Sequence, residues 1–356
     1  MAAKPSEWRY YRIMKSALAL VALAVRLLPA AQLQAATEAN TGLALAREGK
    51  YEQAIQHYRA ALKLAPAMPG LPLNLGLAYF KLNRFTDAIP QFEQAVKSEP
   101  MSFQARILLG MSYYGTRRFA DAATQLKRAT QVQPDNTELR FRLAQSYLWS
   151  QQYDAAKEEF RLLLAKDPDS APVHMLLGEV LDAANQEEQA TAEFEAAVKA
   201  SPRQPEAHFG LGFLYWKQKR YEEAQREFQA ELSSQPQHTQ ALTYLADAEM
   251  QLGKEKTAEE RLRQALKLDT NIRLAHLDLG ILLAGRNSSN EAAIHFREAI
   301  RIDPTRPDAH YRLGRLLLAL GRQEEAEAEF TKVKDLAKKE RPDVLVNVPG
   351  REGGPK

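Results

Sequence analysis

The 356 residues include no cysteine. That excludes disulfide scaffolds, thiolate metal ligands, Cys nucleophiles and a lipidated N-terminal Cys. It leaves the compartment open, because an exported protein can do without disulfides. Glycine and proline are sparse, at 17 and 18, too few for a collagenous or low-complexity chain. Charge of one sign is also scarce: 48 Lys and Arg face 45 Asp and Glu, a net of +3. Walker A, H-E-x-x-H and G-x-S-x-G are missing, and with them the usual sequence marks of nucleotide, zinc-protease and hydrolase chemistry. Gly210-Leu211-Gly212 is no dinucleotide loop, since Tyr215 stands where the third Gly belongs and no strand pattern precedes it.

Long apolar runs are missing too. Ala17 to Val25 is a run of nine, against the roughly 20 residues that span a bilayer. Lys4, Arg9, Arg12 and Lys15 precede it, and Arg26 and a small-residue segment ending in Ala35-Ala36 follow. A basic start, a short apolar stretch and a small-residue exit predict a secretory signal peptide over residues 1–35. The other expectation for this segment is an inner-membrane anchor over residues 16–35 with the rest facing the periplasm. The leader carries five basic residues against Glu7, so the remainder has a net charge of −1. The basic balance belongs to the leader and to the tail, and a nucleic-acid surface is not expected, because the intervening helices show few Lys or Arg in register.

What the chain does have is one pattern many times over. Pro66, Pro100, Pro134, Pro168, Pro202, Pro236 and Pro304 fall on a 34-residue grid, with Thr270 at the one missing point. Twelve residues before each grid point stands Ala: Ala54, Ala88, Ala122, Ala156, Ala190, Ala224, Ala258 and Ala292, with Ala326 in a last copy. Twelve earlier stands Gly or Ala: Gly42, Gly76, Gly110, Ala144, Gly178, Gly212, Ala246, Gly280 and Gly314. Between Ala and Pro lies a ring or a Leu: Tyr58, Phe92, Leu126, Phe160, Phe194, Phe228, Leu262, Phe296 and Phe330. Each unit reads as a helix, a short turn and a second helix that Pro stops.

Repeat two carries Leu75-Gly76, Tyr79, Ala88, Phe92, Ala95 and Pro100 in order. This resembles the tetratricopeptide repeat family, and the resemblance covers about six-sevenths of the chain. It implies an all-α fold, a right-handed α-solenoid of nine 34-residue helix-turn-helix repeats over residues 36–340. The remaining residues, 341–356, are expected to be a partly disordered tail. One unit cannot bury both faces of its helices, so stability comes from stacking.

The resemblance also implies where a partner would lie. Counting from residue 35 and every 34 thereafter, positions 2, 5, 9, 12 and 13 of each first helix line the family's concave groove. These positions give Leu73, Leu77, Phe80, Ile107, Met111, Tyr114, Phe141, Leu148 and Trp149, a continuous apolar stripe, and a second cluster of Phe209, Phe213 and Trp216. Exposed Trp and Tyr are characteristic of binding hot spots. Glu179 and Asp182 interrupt the stripe in repeat five. The Lys and Asn pairs with which some members clamp a peptide C-terminus are not at these positions, so binding of that kind is not expected.

Three further features call for an expectation. His174, His208, His276 and His310 share position 4 with no chelating residue three or four away, and they read as half-buried packing groups rather than metal ligands. Glu231 and Glu249 stand where small or apolar residues are normal. They point either to a soft joint between repeats six and seven or to neutralisation by Arg226 or Arg263. The last helix is expected to run to Glu340 before Pro342, with Val344–Val348 either folding back over Phe330 and Val333 or serving as a docking tail.

The function expected is a non-catalytic extracytoplasmic scaffold, periplasmic or secreted. It would hold a protein or peptide with apolar and aromatic segments and assist assembly of an envelope, secretion, pilus or polysaccharide-export complex. No cofactor, metal or nucleic acid is expected, and membrane contact only through an uncleaved leader. The alternatives are a non-catalytic subunit or regulator of an enzyme complex and, disfavoured by charge, a nucleic-acid-binding solenoid.

Overall fold

The computed structural model describes residues 30–340. Most of the expected leader (1–29) and the tail (341–356) lie outside the described residues, as does the cover expected of Val344–Val348. Among the described residues there are eighteen helices and no strand. The first helices of the repeats are α1 (residues 30–47), α3 (Leu71–Lys81), α5 (Phe103–Gly115), α7 (Thr137–Trp149), α9 (Ala171–Ala183), α11 (Ala207–Lys217), α13 (Thr239–Gln251), α15 (Arg273–Gly285) and α17 (Pro307–Ala319). The second helices are α2 (Tyr51–Leu64), α4 (Phe85–Ser98), α6 (Phe119–Val132), α8 (Tyr153–Leu164), α10 (Glu187–Ala200), α12 (Tyr221–Ser234), α14 (Glu255–Leu268), α16 (Ser289–Ile302) and α18 (Gln323–Glu340). The helix α1 takes in residues 30–35, and Ala35 is fully buried. The long last helix to Glu340 is as expected. No helix of the described residues is long and apolar enough to cross a membrane.

The grid of small residues and rings has a direct packing cause. A methyl group on Gly76 would stand 2.7 Å from the Phe92 ring, and one on Gly178 would stand 2.7 Å from Phe194. Position 8 is thus small because the position-24 ring of the same repeat lies on it. Phe194 also presses on the next repeat, where its ring leaves no room for a methyl at Gly210. That close approach accounts for Gly210, while Gly212 lies under Phe228 of its own repeat. The position-20 alanines from Ala54 to Ala326 are all fully buried.

The turn inside every repeat uses one device. Position 15 is left-handed throughout: Gly49, Asn83, Arg117, Gln151, Asn185, Lys219, Gly253, Asn287 and Gly321, with φ between 56° and 77°. A left-handed residue ends an α-helix by turning its last carbonyls onto the following amides. In repeat four, for example, the Gln152 amide returns to the Tyr147 carbonyl at 2.9 Å.

The chain divides into two compact units, one ending at Lys166 and one beginning at Asp167. The first contains α1–α8 and the second α9–α18. The division lies between repeats four and five.

Candidate functional site

In the first unit the groove positions of α3, α5 and α7 form an apolar face. Leu73, Leu77, Phe80, Ile107, Met111, Tyr114 and Phe141 are half-buried. Trp149 is 47% exposed, a high value for so large an apolar group. Leu148 differs from the rest: at 6% exposed it packs beneath this face instead of forming part of it. The rings are tied to the helices behind them. Phe80 meets Phe85 edge-on at 5.3 Å, and Phe119 lies 5.4 Å from Tyr114 and 6.3 Å from Trp149. Gln145 is the polar member, accepting from the Tyr114 hydroxyl at 3.3 Å and from Arg142 at 3.2 Å. Arg142 holds its guanidinium over the Tyr114 ring at 5.8 Å. No acidic side chain of this unit occupies a position 5, 9 or 12.

In the second unit Phe209, Phe213 and Trp216 come together on α11 as the pattern predicts. Phe213 stacks on Phe209 at 6.4 Å and on Trp216 at 5.8 Å. A fourth ring, Tyr244 of α13, stands edge-on to Phe213 at 5.2 Å and to Trp216 at 5.0 Å. Tyr244 occupies position 6, outside the set that the resemblance supplies. The placement shows that position 6 of one repeat faces positions 9 and 12 of the repeat before it.

Carboxylates surround this shelf. Asp247 of α13 accepts from the Trp216 indole N–H and from Gln251. One repeat on, Asp278 of α15 fills the place that Tyr244 fills against α11. It is 4% exposed, and its Oδ2 has no hydrogen-bond partner. Burial, then the Asp247 charge, hold its carboxyl well above the usual carboxylate range. Glu179 of α9 is pushed up to about 7 by burial, with Glu206 adding to it. Asp182 is bound by Lys217 at 2.7 Å, and Lys217 also reaches Glu187 at 2.8 Å.

The two out-of-pattern glutamates prove unlike each other. Glu231, 1% exposed, accepts the backbone N–H groups of Glu206 at 3.3 Å and Phe209 at 3.2 Å, and a third bond from Gln235. It therefore caps the start of α11, where free amides and the helix dipole favour an anion. Neither Arg is its partner, since Arg263 pairs with Glu259 and Glu291. Glu249 is less well supported, with Thr257 and the Arg261 charge only partly offsetting its burial. It is 2% exposed, its Oε2 is unpartnered, and burial raises its pKa. It stands at position 11, where the hydroxyls of Tyr113 and Tyr215 reach Glu93 and Glu195 of the preceding repeat at 2.6 and 2.7 Å.

The position-4 histidines have partners that sequence spacing hid. Each reaches position 23, nineteen residues on, across its helix pair. His174–Glu193, His208–Glu227 and His310–Glu329 close at 2.6 Å, and repeat one has the reverse pair, Glu38–His57, at 2.7 Å. In repeat eight the partner is another histidine: His276 Nδ1 and His295 Nδ1 are 2.9 Å apart.

One group in the second unit has the composition of a metal site: Glu206, Glu231 and His238. Its donors are already committed. His238 Nδ1 accepts the Ala241 amide at 3.0 Å, which places the ring proton on Nε2, 3.0 Å from Glu206 Oε2. A metal at Nε2 would need that proton removed and the α13 cap broken, so these residues do not fit an ion.

Comparison with known proteins points one way. Tetratricopeptide repeat models match residues 113–180 and 283–345. Another model of that description matches 73–137, 175–238, 209–269 and 245–307, more than half of the chain, and a TPR repeat model matches 42–83. No curated protein matches in sequence. Among solved structures the chain is similar to PilF of Pseudomonas aeruginosa, at 21% identity over 58% of this chain and 93% of that one, with a TM-score of 0.51. It is similar to a tetratricopeptide repeat protein of Parabacteroides merdae, at 16% identity over 69% and 97%, with a TM-score of 0.53. A chain of the APC/C hetero-tetramer Cut9–Hcn1 matches at 15% identity over 78% and 55%, with a TM-score of 0.54. At these identities the likeness is one of fold.

Proposed function

Because the chain belongs to the tetratricopeptide repeat family, we propose that it is a non-catalytic interaction scaffold that binds an extended polypeptide along its first helices. In the first unit, Leu73, Leu77, Phe80, Ile107, Met111, Tyr114, Phe141 and Trp149 receive apolar and aromatic side chains; in the second, the ring shelf of Phe209, Phe213 and Trp216 does so by itself. The observation that carries this is the apolar face of α3, α5 and α7, half-buried and ending on the open indole of Trp149. A soluble monomer seldom leaves such a face without a partner, and Trp and Tyr supply the large, rigid contacts from which hot spots are built. The leader-like start, with its basic residues and nine-residue apolar run, supports action outside the cytoplasm, in the periplasm or beyond, on an envelope, secretion, pilus or polysaccharide-export assembly.

The test is selection from a random peptide library displayed on phage, with the full chain as bait. Selected peptides should be rich in aromatic and aliphatic residues, and Phe80→Ala/Trp149→Ala should weaken them at least tenfold. Selection of no peptide, or equal binding by the double variant, would sink the groove function.

A further inference from the structure

We infer that the polypeptide held in the groove is cationic where it meets the second unit: it presents Lys or Arg side chains, flanked by apolar ones, to the acidic shelf of α9, α11, α13 and α15. This rests on the groove function proposed above and names the chemistry of its partner.

The shelf combines two elements that suit a cation. The first is aromatic: Phe213, Trp216 and Tyr244 meet with centroids 5.0–5.8 Å apart, and ring faces attract ammonium and guanidinium groups. The second is a set of carboxyl groups that close no ion pair. Glu179, Asp247 and Asp278 form no ion pair among the described residues. Lys217 lies between Asp182 and Glu187. Arg273 is bonded to Asp308 through its terminal nitrogen, leaves its Nε unpartnered, and acts on Asp278 without bonding to it. Arg312 acts on Asp278 only at a distance. Asp278 Oδ2 is buried and unpartnered beside Asp247, and a buried polar atom without a partner is a net loss to the fold unless something else meets it.

The chain itself supplies one worked instance. The ammonium of Lys217 sits 6.0 Å from the centre of the Phe213 ring while binding Asp182. A ligand side chain carrying the same group would find the same environment towards Glu179 and Asp247. Charge complementarity also sets this face apart from the first unit, where the matching positions carry no acid.

Protons give the inference a signature that apolar docking does not share. Burial holds Glu179 up at about 7. A cation placed beside it favours the ionised form, so binding near pH 6.5 should release a proton.

The experiment uses the same library and the full chain. Peptides selected by the wild type should show a Lys and Arg excess, bind more weakly in high salt, and release protons when titrated by calorimetry in two buffers of different ionisation enthalpy. The isosteric variant Glu179→Gln/Asp247→Asn/Asp278→Asn should bind them at least tenfold more weakly, with a melting temperature no lower than the wild type's and peptides of purely apolar sequence retained. The single variant Glu179→Gln, at a half-buried site, should reduce proton release on its own. Selection of apolar peptides without basic residues, or equal affinity in the triple variant, overturns this inference and leaves the groove function standing. Selection of no peptide overturns both.

Discussion

The two units share a repeat, a turn and a core, and they differ on the face their first helices present. In the first, positions 5, 9 and 12 are Ala, Leu, Ile, Met, Phe and Tyr, with Gln145 as the polar member of α7. In the second, Phe213 and Trp216 stand among Glu179, Asp182, Asp247 and Asp278. The difference is possible because the fold is fixed elsewhere. Position 8 under its ring and the buried Ala of position 20 set the packing of each helix pair. The first-helix face is left free to change chemistry without changing architecture, as expected when each repeat depends chiefly on its neighbours.

Acids of the second unit fall into two kinds, those that support the fold and those that burden it, and three substitutions sharpen the division. The largest effect is expected at Glu231. Glu231→Ala restores the small residue usual at position 27, yet it should destabilise the protein by about 2–3 kcal/mol, because the first amides of α11 lose a buried, charged acceptor. Hydrogen exchange should show the loss at Ala207–Gly210; unchanged protection there would remove Glu231 from the supporting kind. Glu249→Leu should act in the opposite direction and stabilise by about 1–2 kcal/mol, since it removes a buried carboxylate oxygen without a partner. A lower denaturation midpoint for that variant would contradict its place among the burdens.

The smallest effect concerns pH. Between the ordinary value of 4.5 and about 7, the folded chain holds more proton at Glu179 than the unfolded chain does. Stability therefore falls as pH rises through that window. Glu179→Gln should remove that part of the slope, about 1 kcal/mol after allowance for solvent screening. Identical slopes in variant and wild type, followed by urea denaturation from pH 4.5 to 7.5, would show that this acid is not strained.

Much of this was legible in the residues themselves. The Pro grid, the position-20 alanines and the pairing of Gly76 with Phe92 specify helices, boundaries and close approach, because each depends on local spacing. The apolar stripe was legible for the same reason, with Leu148 misplaced because position 12 can point into the core as well as across it. What escaped depends on how antiparallel helices are offset. The nineteen-residue clasp from His174 to Glu193 joins two helices whose relative register no periodicity reveals. Tyr244 and Asp278 escaped because position 6 matters only through the preceding repeat. Glu231 escaped because its partners are backbone amides, and every residue has one.

The turn at position 15 has a consequence for what this chain could become. Gly49, Gly253 and Gly321 adopt the left-handed conformation freely, and Asn83, Asn185 and Asn287 tolerate it. Arg117, Gln151 and Lys219 hold it against a steric penalty of roughly 1 kcal/mol each. Nine copies of one turn, written in five residue types, amount to a mutational survey conducted inside a single molecule. Its best answers already stand in repeats one, seven and nine, so the chain contains the instructions for tightening its own weaker turns.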